Sequence, residues 1–506
     1  MISFARSLLH KSWLGALILV LATFLRIDGL DQKPVHFDEG VNGWWCDQMA
    51  SRGYYPYSPE DYHGPCYFYL LFASLQIGGR NEWALRIPAV LCSIALVWVI
   101  LRLAPWLGRS GARLAAFAVA TSPAMVFYGR YSIHESLFAL TLAGLLWASL
   151  SILLPKQNAQ GSLAPWTWLG VASGVMLASK ETWVIHIGSV LIALLMVYAY
   201  QAVRRIPFGA QPVLLTVGIA LSIIPLLLIP TLFYTGFGRW PEGLGKFFES
   251  FAFWAATGLE EESGHEKPEG VLYWAKLMGQ FEWASFLGFL LTPLVLLKAF
   301  PSYVRCLAVA TNGMHLAYAI IPYKTPWCIV SFLWLYPVVA ALILKNFSVK
   351  HTRIKAGVGL VILLAGLIQL LPTWRLNFVD PTDPKHPYVY VQTSTEIERF
   401  VEPIQNRLRN DPTAVELRGV ILSHSYFPIP WLLGEFRNLA YYGEGRFPEL
   451  GNPDFVLSDG ERLERVEKEL SLSEYTKVSF ILRDGLEPHH AFFRNHAFPE
   501  LATHDP

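Results

Sequence analysis

The chain has 506 residues, of which 53% are hydrophobic, 14% aromatic and only 16% charged, and its net charge is +1. Soluble domains carry roughly 25% charged residues, so this composition, with repeated apolar runs of about 17–22 residues, indicates a polytopic α-helical membrane protein. The near-zero charge argues against a nucleic-acid partner, and five cysteines with no CxxC spacing rule out a zinc ribbon or thioredoxin-type site.

The opening MISFARSLLHKSW is basic and then runs apolar to Leu25. No small-x-small cleavage site follows, so it reads as an uncleaved first span with the amino end inside. Further spans are predicted near residues 86–104, 112–128, 136–154, 166–178, 183–200, 212–233, 283–299, 304–321, 326–344 and 356–372. That makes about eleven in all. The short apolar piece 66–78 reads as an interfacial or re-entrant helix. With this register the inner loops hold Arg102, Arg109 and Arg113, then Lys156, then Arg204 and Arg205, then Lys298 and Arg305, and finally Lys345, Lys350, Arg353 and Lys355. The outer loop 234–282 holds Glu260, Glu261 and Glu262 instead. The positive-inside rule therefore supports it. The expectation is an integral protein of the cytoplasmic (inner) membrane, with residues 1–372 as the membrane domain. Residues 373–506 are predicted to form a small extracytoplasmic α/β domain, with a helix at 394–409, strand-like runs at 419–423, 454–459 and 477–484, and a charged helix at 460–470.

Candidate chemistry gathers at the outer ends of the spans. The first outer loop, 31–85, contains HFDEG with Asp38 and Glu39, and HGP with His63. YGRYSIHES supplies Arg130, His134 and Glu135, ASKETW supplies Lys180 and Glu181, and YKTPW supplies Lys324. Each has an ordinary structural alternative: an aromatic belt, a snorkelling lysine, a structural ion pair, a locally bonded histidine. Their joint occurrence on one side, beside an acidic pair, points instead to a shared polar cavity. Cys46 and Cys66 flank the first loop, and a disulfide between them is left open beside the reading of two buried thiols.

Such a cavity suits group transfer from a lipid phosphate. A carboxylate takes the proton of an acceptor hydroxyl, while cationic side chains stabilise charge growing on the departing phosphate. Adjacent residues project differently on helix or strand, so Asp38 and Glu39 are expected to have different partners, with either one as the base. No HExxH or other compact metal motif appears, so no cofactor is required, although the carboxylates leave room for a divalent cation.

At these residues the chain resembles the superfamily C (GT-C) membrane glycosyltransferases, in the branch of the protein O-mannosyltransferases and lipid A aminoarabinose transferases. HFDEG, HGP, YGRYSIHES, ASKETW and YKTPW look closest to the flippase activity-associated membrane proteins. The resemblance covers roughly residues 12–345, with FPIPWLLGEF (427–436) a weaker match in the tail. It implies an inverting transferase that moves a sugar from a polyprenyl-phosphate donor to a hydroxyl of an acceptor protein or glycan, at the extracytoplasmic face and among membrane lipids. Asp38 and Glu39 would be its catalytic candidates, and Arg130 and Glu135 match its second outer motif. By placement rather than by the resemblance, Lys180 and Lys324 are expected with Arg130 at the donor phosphate, and His63, His134 and Glu181 around the substrate. Where mannosyltransferases have an Asp after the Arg motif, this chain has His134-Glu135. The alternative is a lipid-linked sugar flippase or its accessory, without turnover.

Overall fold

The computed structural model describes residues 2–60, 63–155, 162–204, 215–259, 269–297, 300–347, 352–443, 445 and 447–502. Lys156, Arg205, Glu260, Glu261, Glu262, Lys298 and Lys350, used in the orientation argument, lie outside these residues. By packing, the chain divides into two units, Met1–Leu30 with Arg52–Pro381, and Asp31–Ser51 with Thr382–Pro506.

The first unit is a helix bundle. Six helices are long and apolar enough to cross a bilayer: Glu82–Arg102, Glu135–Leu153, Trp183–Val203, Val217–Tyr234, Pro326–Asn346 and Arg353–Val379. A seventh crossing arises if Arg109–Ala120 and Pro123–Arg130, bent by 66°, count as one span. The bend has a local cause. Pro123 lacks the N–H that would continue the ladder, and the Ser122 hydroxyl caps the new helix by accepting from Met125 N at 3.2 Å. Of the remaining predicted spans, Ala164–Leu177 has 14 residues, and Ser302–Ile320 carries Arg305, Asn312 and His315. The described residues thus hold six or seven helices of crossing length, where the apolar runs predicted about eleven spans. The segment Cys66–Gly78 is a helix of 13 residues. At ~1.5 Å per residue it is too short for a hydrocarbon core of about 30 Å.

Burial separates inner from outer helices. Only 17–22% of the crossing window is buried in Trp183–Val203, Val217–Tyr234 and Arg353–Val379, against 89% in Pro326–Asn346. The first three turn Leu195, Leu227 and Leu360 outward, an arrangement suited to an apolar solvent. Close helix approach depends on glycine. A Cβ at Gly170 would lie 2.1 Å from Ser222 O, and one at Gly174 would lie 2.6 Å from Pro225 O. This small-xxx-small pair lets Ala164–Leu177 lie backbone to backbone against Leu215–Tyr234.

The second unit is built on a mixed sheet of five strands: β1 (Arg418–Leu422), β2 (Asn438–Tyr442), β3 (Phe455–Ser458), β4 (Tyr475–Phe480) and β5 (His489–Arg494). Their order is β2-β1-β3-β5-β4, with β1 parallel to β2 and β3, and β5 antiparallel to both β3 and β4. The predicted helices appear as Glu398–Asn410 and Leu463–Glu469, and the three predicted strands as β1, β3 and β4. Phe400, Val401 and Ile404 of the first helix pack with Ile421, Phe455, Leu457 and Phe493 of the sheet. Strands β2 and β5 were not read from the sequence.

The stretch read as a loop after residue 36 is helical over Phe37–Arg52 and belongs, through Ser51, to this second unit. Two glycines one turn apart explain the docking. A Cβ at Gly40 would fall 2.5 Å from Pro428 Cβ, and one at Gly43 would fall 2.2 Å from the Trp431 ring. The helix therefore lies flush on FPIPW, the tail segment of the resemblance, with Phe37 edge-on to Phe427 at 5.7 Å.

Replacing Gly170 by Ala should lower the midpoint of thermal unfolding in lipid nanodiscs, at an overpacking cost of roughly 1–3 kcal/mol. Gly188→Ala, where a Cβ meets nothing within 4 Å, is the control and should leave the midpoint unchanged or raised.

Candidate active site

The predicted residues fall into two groups, one in each unit. In the second unit the acidic pair opens the helix Phe37–Arg52, and the two carboxylates do different things. His36 occupies the N-cap position. Its Nδ1 accepts from Asp38 N at 3.1 Å, and its backbone N–H donates to Glu39 Oε2 at 2.9 Å. This is a capping box with histidine in place of serine. Glu39, fully buried, is thereby committed to the helix end. Nδ1 as acceptor leaves Nε2 with the hydrogen, and Nε2 donates to Tyr390 O at 2.8 Å. Burial lowers the imidazole pKa, partly opposed by Asp38, and this agrees with the neutral tautomer. Asp38, one residue earlier, is half-buried in the first turn of the helix. Its field reaches Arg483, a residue that sequence reasoning had left inside a strand-like run. Burial brings that guanidinium down to about 10, with Asp38 opposing, so it remains charged.

In the first unit HGP and ASKETW are joined through the backbone. Gly64 N donates to Ser179 O at 3.2 Å and Cys66 N to Ala178 O at 2.9 Å. A Cβ at Gly64 would sit 2.3 Å from Ala178 O, so only glycine allows this approach. The pairing brings five charged or titratable side chains together. Lys180 is bonded to Glu135, and both are almost fully buried. His63 Nδ1 lies 3.0 Å from Glu181 Oε2. The His134 ring stands 4.9 Å from His63 and 4.8 Å from Tyr67, with its Nε2 buried and without a hydrogen-bond partner.

Their electrostatics differ. Burial opposes the charge on Lys180, but Glu135 outweighs it and holds the ammonium protonated. Burial also works against a charge on His63, yet the Glu181 carboxylate raises its pKa above the ordinary value. Glu181 is correspondingly lowered by His63, against its own burial. His134 is driven well down by burial and by its cationic neighbours, and is neutral. His63 is also the accessible member, with 36% of its side chain exposed against 5% for Lys180.

Arg130 and Lys324 are turned elsewhere. The Arg130 guanidinium donates to Leu25 O at 3.2 Å, Asp28 O at 2.6 Å and Gly29 O at 2.7 Å, and lies 4.9 Å from the Phe378 ring. It closes the end of Ile2–Ile27, whose last carbonyls have no intrahelical donor. Lys324 Nζ, 3% exposed in sum, donates to Ile321 O at 2.5 Å within its own turn. Sequence reasoning also missed Glu282, fully buried, which accepts from Ala124 N at 2.7 Å and supports the bent helix pair. An acid inside an apolar run was the available signal. All five cysteines, Cys46 and Cys66 included, are free. Among the described residues no group of three or more His, Cys, Asp and Glu is placed to hold a metal ion.

The fold these elements define has counterparts among solved structures, and part of the chain matches a family model. Residues 62–229 match the family model described as dolichyl-phosphate-mannose-protein mannosyltransferase. The chain is similar to ArnT from Cupriavidus metallidurans bound to undecaprenyl phosphate, with a TM-score of 0.68 and 14% identity over 95% of this chain and 98% of that one. The apo state of the same protein aligns with a TM-score of 0.64 and 13% identity, over 94% and 97%. Archaeoglobus fulgidus oligosaccharyltransferase, tethered to an acceptor peptide containing the NVT sequon, aligns with a TM-score of 0.57 and 15% identity, over 90% and 70%. No curated protein sequence matches the chain. The superfamily C resemblance read from the sequence is therefore shown, whereas these matches do not extend to the flippase activity-associated branch.

Two predictions follow the chemistry of each group. Glu39→Ala should destabilise the second unit by about 1 kcal/mol through loss of the cap, measurable by denaturant unfolding, while Asp38→Asn should not. Glu181→Gln should lower the His63 pKa, read by hydrogen–deuterium exchange at the imidazole C2 position. Because folded His63 retains a proton that the unfolded chain releases, its stabilising contribution is complete below the ordinary histidine pKa. That contribution should fade as pH rises through the raised value, and the fade should move to lower pH in the variant.

Proposed function

We propose that the chain is an integral membrane glycosyltransferase that moves a sugar from a polyprenyl-phosphate donor to an acceptor hydroxyl on the extracytoplasmic face. The observation that carries this reading is the division of labour in the acidic pair: Glu39 is committed to the helix cap, which leaves Asp38 half-buried at the helix N-terminus as the base. Asp38 takes the proton of the acceptor hydroxyl as its oxygen attacks the anomeric carbon. The bond from that carbon to the phosphate oxygen breaks, the polyprenyl phosphate leaves, and a single displacement of this kind inverts the anomeric centre.

Within the membrane unit, His63 is the accessible cation, since Glu181 favours its protonated form against burial and a third of the side chain is exposed, and such a charge suits a phosphate. Lys180, Glu135, Glu181 and His134 hold that histidine and the HGP turn in place, while Arg130 and Lys324 secure the ends of helices and turns. The likeness to ArnT bound to undecaprenyl phosphate, over nearly the whole of both chains, supports a lipid-linked donor. In this reading residues 1–30 with 52–381 are the membrane domain, and residues 31–51 with 382–506 the extracytoplasmic one.

The test uses protein in nanodiscs with radiolabelled polyprenyl-phosphate sugars and follows loss of donor label. Asp38→Asn should reduce cleavage by about 10²–10⁴-fold with donor affinity nearly unchanged, the usual range for a lost general base. Turnover equal to the wild type would remove Asp38 from this role. Donor binding without cleavage by the wild-type protein, with acceptor extracts present, would favour the lipid-linked sugar flippase.

A further inference from the structure

The second unit contains a cavity of about 570 Å³ that the proposed chemistry does not use. Its wall is formed by the segment Thr382–Glu396, by Ser425 just beyond β1, and by Ile481–Leu486 just beyond β4. Strands β1 and β3 are parallel, and β5 runs against both β3 and β4, so the carboxyl ends of β1 and β4 lie on one edge of the sheet. The crevice outside carboxyl strand ends is where open α/β sheets bind ligands, and this volume falls within the roughly 300–1,000 Å³ of small-molecule sites.

Arg483 is a buried polar residue of this wall. It is 6% exposed, with its guanidinium 4.7 Å from the Phe37 ring. One amino group donates to Ser425 O at 3.3 Å and to the Ser425 hydroxyl. Its buried Nε has no hydrogen-bond partner, an omission that native interiors seldom leave. The neighbouring wall is strained as well. Val391 has φ of 54°, a left-handed conformation that a β-branched residue rarely adopts, and it is followed by Gln392, whose amide donates to Pro34 O at 3.1 Å.

The remaining polar groups decide the ligand class. Glu396 and Asp484 both line the cavity, and Asp38 acts on Arg483 from the side. Against a single guanidinium, these carboxylates disfavour an anion. Carboxylates, hydroxyls, an amide and a guanidinium together can instead answer a ligand whose every polar group both donates and accepts, and Tyr390 adds an aromatic surface. We infer that this cavity of the second unit is a binding site for a neutral saccharide, which Arg483 and Asp484 engage through its hydroxyl groups. The assignment of that saccharide to the acceptor rests on the transferase reading; the binding itself does not.

The experiment uses the full chain in nanodiscs, without donor, on an array of neutral oligosaccharides and their uronic-acid-bearing counterparts. Calorimetry on the best neutral binder follows. The expected result is binding of neutral saccharides, weakened about tenfold or more by Asp484→Asn and by Ser425→Ala, as for loss of a hydrogen-bonding partner. Asp484 is exposed, so its variant should fold, and a matched unfolding midpoint checks this. An array with no neutral binder, a preference for the acidic members, or affinity unchanged in both variants would overturn the inference. Donor cleavage by the wild type separates the two readings: saccharide binding without any such cleavage upholds the cavity while the transferase assignment fails.

Discussion

The close approach of the helix Phe37–Arg52 to the FPIPW segment is the constraint on which the proposed chemistry depends. Gly40 and Gly43 give that helix a bare stripe one turn long, and Pro428 and Trp431 occupy it. Any side chain on the stripe would collide with Pro428 or Trp431. The capping box at its start, the bond from His36 to Tyr390 and the field between Asp38 and Arg483 all require the helix to lie where those glycines allow. An acid near the beginning of the chain is thus positioned by residues near its end.

A second use of glycine governs the membrane unit. Gly64 permits the HGP turn to pair its backbone with the ASKET turn, and the charged side chains of both motifs then meet at distances fixed by main-chain geometry. In that cluster the charges are matched. Lys180 answers Glu135, and Glu181 answers His63. Balance of this kind lets four titratable groups be largely buried at tolerable cost, because each desolvated charge has a hydrogen-bonded counter-charge.

Much of this was legible in the sequence, and what was missed has physical reasons. Apolar runs located the helices of the membrane unit, because burial in lipid and helical hydrogen bonding are both demanded of the same stretch. They did not settle which helices cross, since length, bends such as that at Pro123, and polar residues such as Arg305 intervene. Strand β2 begins with Asn438 and is only half-buried, and β5 opens with two histidines, so neither showed the usual alternation of a strand. The helix Phe37–Arg52 was hidden by its glycines, which lower helix propensity and whose purpose is seen only with Pro428 and Trp431 in place. The motifs HFDEG, HGP and ASKETW were found. That Arg130 and Lys324 donate to backbone carbonyls was not legible, because a sequence does not show which carbonyls lie within reach of a cation.

The chain passes between the two units at residues 30–31, 51–52 and 381–382, so the second unit is discontinuous in sequence. During synthesis the segment that carries Asp38 is made early, while the surface that fixes it is translated only after the whole membrane unit. Until Pro428 and Trp431 exist, the glycine stripe has nothing to rest on and the acid has no fixed address. A truncated chain therefore has the membrane helices and the acidic motif, but not the surface that holds the acid in place. Completion of the polypeptide is the step that fixes it.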